Sequence, residues 1–281
     1  DTQMNKLKEF YKSNIVEVTQ PYVFFVAVKN QVRLTAFTSG KLFLQGETVD
    51  KEVITIKTLL GIRNYAAVGS DEVGTGDVFG PIIVCACYAS TEDIEFLESL
   101  NVRDSKNMTN RKILEIGPQI AKRLTHSISI VSPEKYNSLT KQGINLNKMK
   151  ALLHNHMIIK TTSKIETTVP VIIDQFCLPN HYFNYLKDEN QVYREVEFYT
   201  KAESVHISVA AASIIARFAF LVKMRELSKS LDMNLKLGAS SEVDKQVVEI
   251  YETKGYETLT KIAKCNYKNV TKQNFHISDA K

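Results

Sequence analysis

The sequence has few cysteines, and their spacing does not indicate a zinc site. Its four cysteines, Cys85, Cys87, Cys177 and Cys265, lack the paired spacing of zinc sites. Cys85 and Cys87 lie two residues apart in a strand-like run, so their side chains should face opposite sides and behave as buried apolar groups. The sequence also shows no signal peptide and no membrane-length apolar segment. We therefore expect a cytoplasmic protein, in a reducing compartment, with no membrane partner.

Internal repeats, low-complexity tracts and a strong excess of one charge are also missing. The 281 residues are 44% hydrophobic, which is enough to fill a sizeable core and argues against disorder. Lys and Arg number 36 against 31 Asp and Glu, a formal net charge of +5. This mild basicity permits a polyanionic partner but does not require one.

The first sixty residues predict a small α+β domain. Two helices enclose three strands that are separated by short turns, and the elements are Met4–Asn14, Tyr22–Val28, Val32–Thr38, Leu42–Gly46 and Glu47–Leu60. A hinge is expected at Gly61–Asn64, so we predict domains at residues 1–62 and 63–281. The second domain mixes strands and helices, as is typical of an α/β or α+β fold.

Acidic side chains sit at three predicted strand ends of the second domain. Asp71 and Glu72 follow one apolar strand, Asp174 follows Val169–Ile173, and Glu203 comes shortly after Tyr193–Tyr199. Oxygen ligands without His or Cys suit Mg²⁺ or Mn²⁺. Two such ions about 3.5–4 Å apart can clamp the attacking water and the leaving oxygen of a phosphodiester.

Each acid also has an ordinary structural explanation. An acid at a helix N-terminus, such as Glu203, is common, and an apolar strand ending in Asp174 can simply enter a turn. The pair Asp71-Glu72 is harder to explain in this way, because adjacent like charges beside a tight loop cost energy unless a cation offsets them.

The acidic pair opens the glycine-rich stretch Gly69–Pro81, with glycines at 74, 76 and 80. A dinucleotide site is excluded, because the spacing differs and the loop leads into Pro81 and a strand rather than a helix. Glycine leaves backbone groups open to close approach. Such a loop can read a sugar, and the 2′-hydroxyl distinguishes RNA from DNA.

The run Asp-Glu-Val-Gly-Thr-Gly-Asp-Val-Phe-Gly-Pro resembles the signature of the type 2 ribonucleases H, and specifically of ribonuclease HIII. Four further stretches agree in order, and the match covers roughly residues 64–265. They are Asp104–Lys106, Asn147–Asn155, Ile172–Asp174, and Lys201–Ser204 leading into Ala210–Arg217.

The resemblance implies an RNase H-like mixed sheet with flanking helices, preceded by a small TATA-box-binding-protein-like domain that helps to grip substrate. It also implies an acidic quartet that is both catalytic and metal-binding, formed by Asp71, Glu72, Asp174 and Glu203. Glutamate rather than aspartate at 203 favours ribonuclease HIII over ribonuclease HII. Thr75 departs from the Gly-Arg-Gly or Gly-Lys-Gly motif of the family, which argues against a basic phosphate contact there.

The predicted substrate contacts are the loop residues Gly74, Thr75 and Gly76, together with Ser105, Lys106 and Lys201. For Lys106 a surface salt bridge, and for Lys201 a charge-balancing role, are the alternatives. His154 and His156, two apart on a helix, point in different directions and are poor joint ligands.

The implied activity is that of a monomeric endoribonuclease that hydrolyses the RNA strand of RNA–DNA hybrids with a divalent metal. The products would carry 5′-phosphate and 3′-hydroxyl ends. Two alternatives stay open: cleavage at single ribonucleotides embedded in duplex DNA, as in ribonuclease HII, and a non-catalytic hybrid-binding protein. Four clustered carboxylates argue against the latter, because a binder of a polyanion gains nothing from them.

Overall fold

The computed structural model describes residues 2–62, 64–102 and 107–275. The chain divides into two compact units, Asp1–Tyr65 and Ala66–Lys281. Two of the predicted substrate contacts, Ser105 and Lys106, lie outside the described residues.

The N-terminal unit is a four-stranded antiparallel sheet with two α-helices. The predicted small α+β class is confirmed, but the short strand Ile15–Val16 adds to the three strands that the sequence predicts. Alternating strand residues such as Phe25 and Leu34 face the helices and form the core with Leu7 and Ile56. The strands lie in the order β1-β2-β3-β4. The elements are α1 (Thr2–Phe10), β1 (Ile15–Val16), β2 (Val23–Lys29), β3 (Val32–Phe37), β4 (Leu42–Gly46) and α2 (Val49–Leu60).

A five-stranded mixed sheet forms the centre of the second unit. Its strands are β5 (Ala67–Val73), β6 (Ile82–Ala89), β7 (His126–Val131), β8 (Val171–Asp174) and β9 (Val196–Tyr199), in the order β7-β6-β5-β8-β9. The pairs β7-β6 and β6-β5 are antiparallel, whereas β8 runs parallel to both β5 and β9. The α/β class with a mixed sheet and flanking helices is therefore confirmed.

Helices cover both faces of this sheet. They are α3 (Thr91–Ser99), α4 (Asn110–Arg123), α5 (Pro133–Lys141), α6 (Leu146–Thr162), α7 (Pro179–Tyr185), α8 (Ile207–Leu231), α9 (Ser241–Ile262) and α10 (Lys268–Thr271). Gly255 interrupts α9 with a φ of 81°, so this segment consists of two helices.

Helices α8 and α6 lie on opposite faces of the central strand β5. On one face, a Cβ at Gly69 would lie 2.2 Å from the backbone nitrogen of Val209, so glycine permits α8 to approach the strand this closely. On the other face, Val68 joins a core cluster with Ala151 and Ile158 of α6. Because successive strand residues point to opposite faces, Asp71 falls on the α8 side and Glu72 on the α6 side.

The expectation that the chain has no membrane-length apolar segment was wrong for α8. Its 25 residues are long enough and apolar enough, by length and composition alone, to cross a membrane. However, 61% of its most apolar window is buried inside the folded unit. Residues 210–212 and Ile214 of this helix are almost completely shielded from solvent. The central core helix of a globular domain passes the same test, so this feature is weak evidence for a membrane.

Candidate active site

The ends of strands β5 and β8 bring two predicted acids to the same edge of the sheet. Ser70 pairs with Ile173 in parallel register, so the next residues, Asp71 and Asp174, lie side by side. Asp174 accepts a hydrogen bond from the backbone N–H of Ala202, with 2.9 Å between Oδ1 and nitrogen. This bond joins the end of β8 to the turn that carries Glu203.

Glu203 lies in the short 3-10 turn Ala202–Ser204, directly after strand β9, and is half-buried. Lys201, the residue that opens this turn, has a left-handed backbone with a φ of 57° and an exposed side chain. The left-handed backbone of Lys201 reverses the chain direction after β9. The hydrogen bond from the Ala202 amide to Asp174 holds the turn in this position. Glu203 thus follows β9, the strand that pairs with β8, which carries Asp174.

Asp71 is almost fully buried, and its carboxylate lacks a cationic partner among the described residues. Burial raises its pKa to about 7, and the negative charges of Glu72 and Asp174 add to this effect. Hydrogen bonds from Ser213 of α8 and from the backbone N–H of Glu72 oppose the rise. A carboxylate with such a pKa indicates uncompensated negative charge at this edge of the sheet.

Glu72 has the opposite environment on the other face of β5. Its Oε1 accepts from the ammonium of Lys150 at 2.7 Å, and its Oε2 lies 2.9 Å from Nε2 of His154. Burial alone would raise the pKa of Glu72, but the hydrogen bonds and charges of His154 and Lys150 lower it to about 2. The second ring nitrogen of His154 lies 2.7 Å from Oγ of Ser70, and Phe176 stacks on the ring. Glu72 is therefore held as a carboxylate by its own supporting network.

The donor chemistry of these acids suits a hard divalent cation. Carboxylate oxygens are the ligands that Mg²⁺ and Mn²⁺ prefer, and a cation near Asp71 would offset the charge that raises its pKa. Within the described residues, however, no three His, Cys, Asp or Glu side chains form a ready metal-ligand cluster. Asp71 and Asp174 meet on one side of the sheet edge, while Glu72 is engaged with α6.

Gly74 and Gly76 in the adjoining loop differ in what the fold demands of them. Gly74 has a φ of 92°, and a Cβ there would lie 2.1 Å from the carbonyl oxygen of Pro81, so only glycine fits. Gly76 has no left-handed φ, and a Cβ would meet nothing within 4 Å. The fold thus explains glycine at 74 but not at 76, where the backbone is exposed.

Sequence reasoning misses the residues that support the acids. Lys150 and His154 lie one helical turn apart on α6, so both face β5. The family resemblance includes the motif around them, but it assigns neither side chain a role toward Glu72. The i, i+4 spacing of a lysine and a histidine on an otherwise apolar helix face is the signal that could have found them. Ser213 gives a weaker signal, because a small residue in a long helix is equally typical of close packing.

The family model described as Ribonuclease HII matches residues 68–270, and one described as Domain of unknown function (DUF3378) matches residues 1–57. A curated ribonuclease HIII of Phytoplasma mali is 52% identical over 273 residues, covering 96% of this chain and 95% of that protein. This chain belongs to the ribonuclease HIII family. A second ribonuclease HIII, from Bacillus anthracis, is 38% identical over 294 residues and covers 96% of this chain and 94% of its own.

A solved structure agrees with this family assignment. The crystal structure of Bst-RNase HIII in complex with Mn²⁺ matches with a TM-score of 0.73 and 34% identity, covering 97% of this chain and 95% of that one. The match extends over both units, so this ribonuclease HIII family member shares the small N-terminal domain as well as the RNase H-like domain.

Proposed function

We propose that this chain is an endoribonuclease that hydrolyses the RNA strand of RNA–DNA hybrids with the help of Mg²⁺ or Mn²⁺, leaving 5′-phosphate and 3′-hydroxyl ends. The observation that carries the proposal is the convergence of Asp71 and Asp174 at one sheet edge, beside a loop whose Gly76 the fold does not require. Family membership and the Mn²⁺ complex of Bst-RNase HIII support it.

The four acids would share metal binding in this proposal, but different neighbours support each of them. Asp71, Glu72, Asp174 and Glu203 would hold divalent metal, which when bound supplies positive charge to the phosphate and a more acidic water. Asp174 is oriented for this by the Ala202 amide. Glu72 is kept ionised by Lys150 and His154 on α6. Glu203 would orient the attacking water from the turn after β9.

Substrate would be recognised by the backbone of Gly74, Thr75 and Gly76. A ligand that packs against the exposed main chain at Gly76 would collide with a larger side chain, which explains glycine there. A hydrogen bond to the 2′-hydroxyl would then favour RNA. Thr75 is half-buried and brings no charge, so phosphate contacts fall to Lys201 and to Ser105 and Lys106 in the undescribed segment.

Replacing Asp174 with asparagine tests the catalytic assignment. Asparagine keeps an Oδ1 acceptor for the Ala202 amide but loses the negative charge, so cleavage of a labelled hybrid should be abolished while binding is largely kept. The exposed Asp188 offers a matched control, because Asp188→Asn should cleave at the rate of the unmodified enzyme. Cleavage by Asp174→Asn at that rate would refute the proposed site.

Cleavage at single ribonucleotides in duplex DNA is the second candidate, because the matching family model is that of Ribonuclease HII. A long hybrid and a duplex with one ribonucleotide, compared at equal concentration, separate the two activities. We expect faster cleavage of the long hybrid. Preferential cleavage of the single-ribonucleotide duplex would overturn the HIII-type specificity.

The N-terminal domain, residues 1–62, would help to grip the hybrid. Deleting residues 1–60 should then raise the KM for hybrid, and an unchanged KM and kcat would contradict this role.

We further propose a monomeric, cytoplasmic enzyme without a membrane partner. The free state of all four cysteines supports a reducing compartment, and the burial of α8 in the core supports a location away from lipid.

A further inference from the structure

The segment that follows α9 donates three side-chain hydrogen bonds to the glycine loop. The ammonium of Lys264 donates to the carbonyl oxygens of Asp77 at 2.8 Å and Gly80 at 2.7 Å. The hydroxyl of Tyr267 donates to the carbonyl oxygen of Thr75 at 2.7 Å. A segment that is distant in sequence thus holds the loop at three points.

Burying Lys264 at this position is energetically unfavourable. Its side chain is fully buried, and among the described residues no carboxylate lies within ion-pair distance of its ammonium. Burial lowers its pKa to about 7, and the charge of Asp77 only partly opposes this. Removing an ammonium from water costs stability that two carbonyl acceptors do not fully return. Lysine here therefore serves the loop rather than the stability of the core.

Tyr267 sets the direction of the peptide that contains the Gly76 amide. In a trans peptide the C=O and the following N–H point in opposite directions. Because the Thr75 carbonyl points to the Tyr267 hydroxyl, the Gly76 N–H must point away from it. Gly76 is exposed, and within the described part of the chain its N–H has no acceptor. An unpaired donor is thereby presented at the position where the fold does not require glycine.

We infer that Lys264 and Tyr267 are positioning residues that aim the backbone of the glycine loop at the sugar of the RNA strand. They act through the loop and make no contact with the reacting atoms. The inference rests on the proposed function, because it assumes that the loop reads the 2′-hydroxyl. Part of the preference for RNA would then come from Lys264 and Tyr267, which bond to the loop and do not contact the RNA.

The test compares the affinity for a hybrid with that for a DNA duplex of the same sequence, in EDTA so that hydrolysis does not proceed. Tyr267→Phe removes only the hydroxyl and should reduce the ratio of the two affinities about fivefold, the value of one neutral hydrogen bond. Lys264→Met removes two donors and should reduce the ratio about tenfold or more. The amide resonance of Gly76 in an NMR spectrum should shift in both variants.

Tyr182→Phe is the matched control, because Tyr182 is buried elsewhere and its hydroxyl has no partner in the described residues. It should leave the affinity ratio unchanged. A ratio within about twofold of the unmodified protein for Tyr267→Phe would overturn the inference, since a lost bond of this kind costs more. Should Lys264→Met fail to fold, Tyr267→Phe alone decides. If the unmodified protein itself shows no preference for the hybrid, the proposed function fails instead.

Discussion

Replacing Asp71 with asparagine should stabilise the metal-free protein, although the same change should abolish cleavage. Asp71 is 7% exposed, and the charges of Glu72 and Asp174 lie close to it. In the absence of metal, ionising this carboxyl group is therefore unfavourable. Asparagine keeps the shape and an acceptor for the Glu72 amide but carries no charge, so it removes the penalty.

The magnitude follows from the pKa of Asp71, which rises from 3.8 to about 7. Between these values the folded protein holds a proton that the unfolded chain has lost, so stability falls by about 1.4 kcal/mol for each unit of pH. Below pH 3.8 both states are protonated and the penalty vanishes; above pH 7 it is complete. The Asp71→Asn substitution should therefore add up to about 4 kcal/mol at about pH 8, and about 2 kcal/mol at about pH 5.

Urea unfolding in EDTA, at about pH 5 and about pH 8, measures both free energies of unfolding. Asp232→Asn is the control, because Asp232 is exposed and its left-handed φ of 53° suits asparagine equally well. It should change the free energy by less than about 0.5 kcal/mol. Saturating Mg²⁺ should reduce the advantage of Asp71→Asn, because the cation stabilises only the aspartate protein. A variant that is less stable at the higher pH, or a difference that is the same at both pH values, would refute the reasoning.

Three further predictions concern the groups around the acids and the loop. Lys150→Met should lower the free energy of unfolding at neutral pH by about 3 kcal/mol, because it leaves the buried carboxylate of Glu72 without its cation. Lys160→Met, on the exposed face of the same helix, is the control and should change the free energy by under about 0.5 kcal/mol in the same urea titration. Gly76→Ala should keep the thermal midpoint but weaken hybrid binding, while Gly74→Ala should lower the midpoint; equal midpoints would contradict this distinction. Burial lowers the pKa of Lys264 from 10.5 to about 7, so between these values the unfolded chain holds a proton that the folded protein has lost. The stability of the unmodified protein relative to Lys264→Met should therefore rise by about 1.4 kcal/mol per pH unit from about pH 7 to about pH 10. A stability difference that does not change with pH would contradict this prediction.

The sequence predicted the elements that carry Asp71, Asp174 and Glu203 because each follows a run of apolar residues. A short apolar run bounded by turn residues is consistent with a buried strand. Strands that end in acids bring those acids to one edge of the sheet when they pair in parallel. Pairing order is not local, but the number of plausible arrangements is small. These parts of the fold and of the candidate site were therefore within reach of sequence reasoning.

The bonding partners of the supporting residues could not be predicted from the sequence, for a physical reason. Lys150 bonds to a carboxylate 78 residues earlier, and Lys264 bonds to a carbonyl 187 residues earlier. A lysine in a sequence is expected at the surface, and only tertiary packing can bury it.

Adjacent residues of one strand give the proposed site two carboxylates of different character. Asp71 and Glu72 point to opposite faces of β5, so no single helix can neutralise both. Helix α6 supplies Lys150 and His154 to Glu72 and lowers its pKa. Among the described residues, α8 offers Asp71 a hydroxyl group, that of Ser213, but no cation. Within the described residues, the protein thus compensates the charge of Glu72 and leaves that of Asp71 uncompensated. A cation that enters beside Asp71 and Asp174 would meet uncompensated negative charge. The acid that destabilises the metal-free protein is therefore also the one that we propose as a metal ligand.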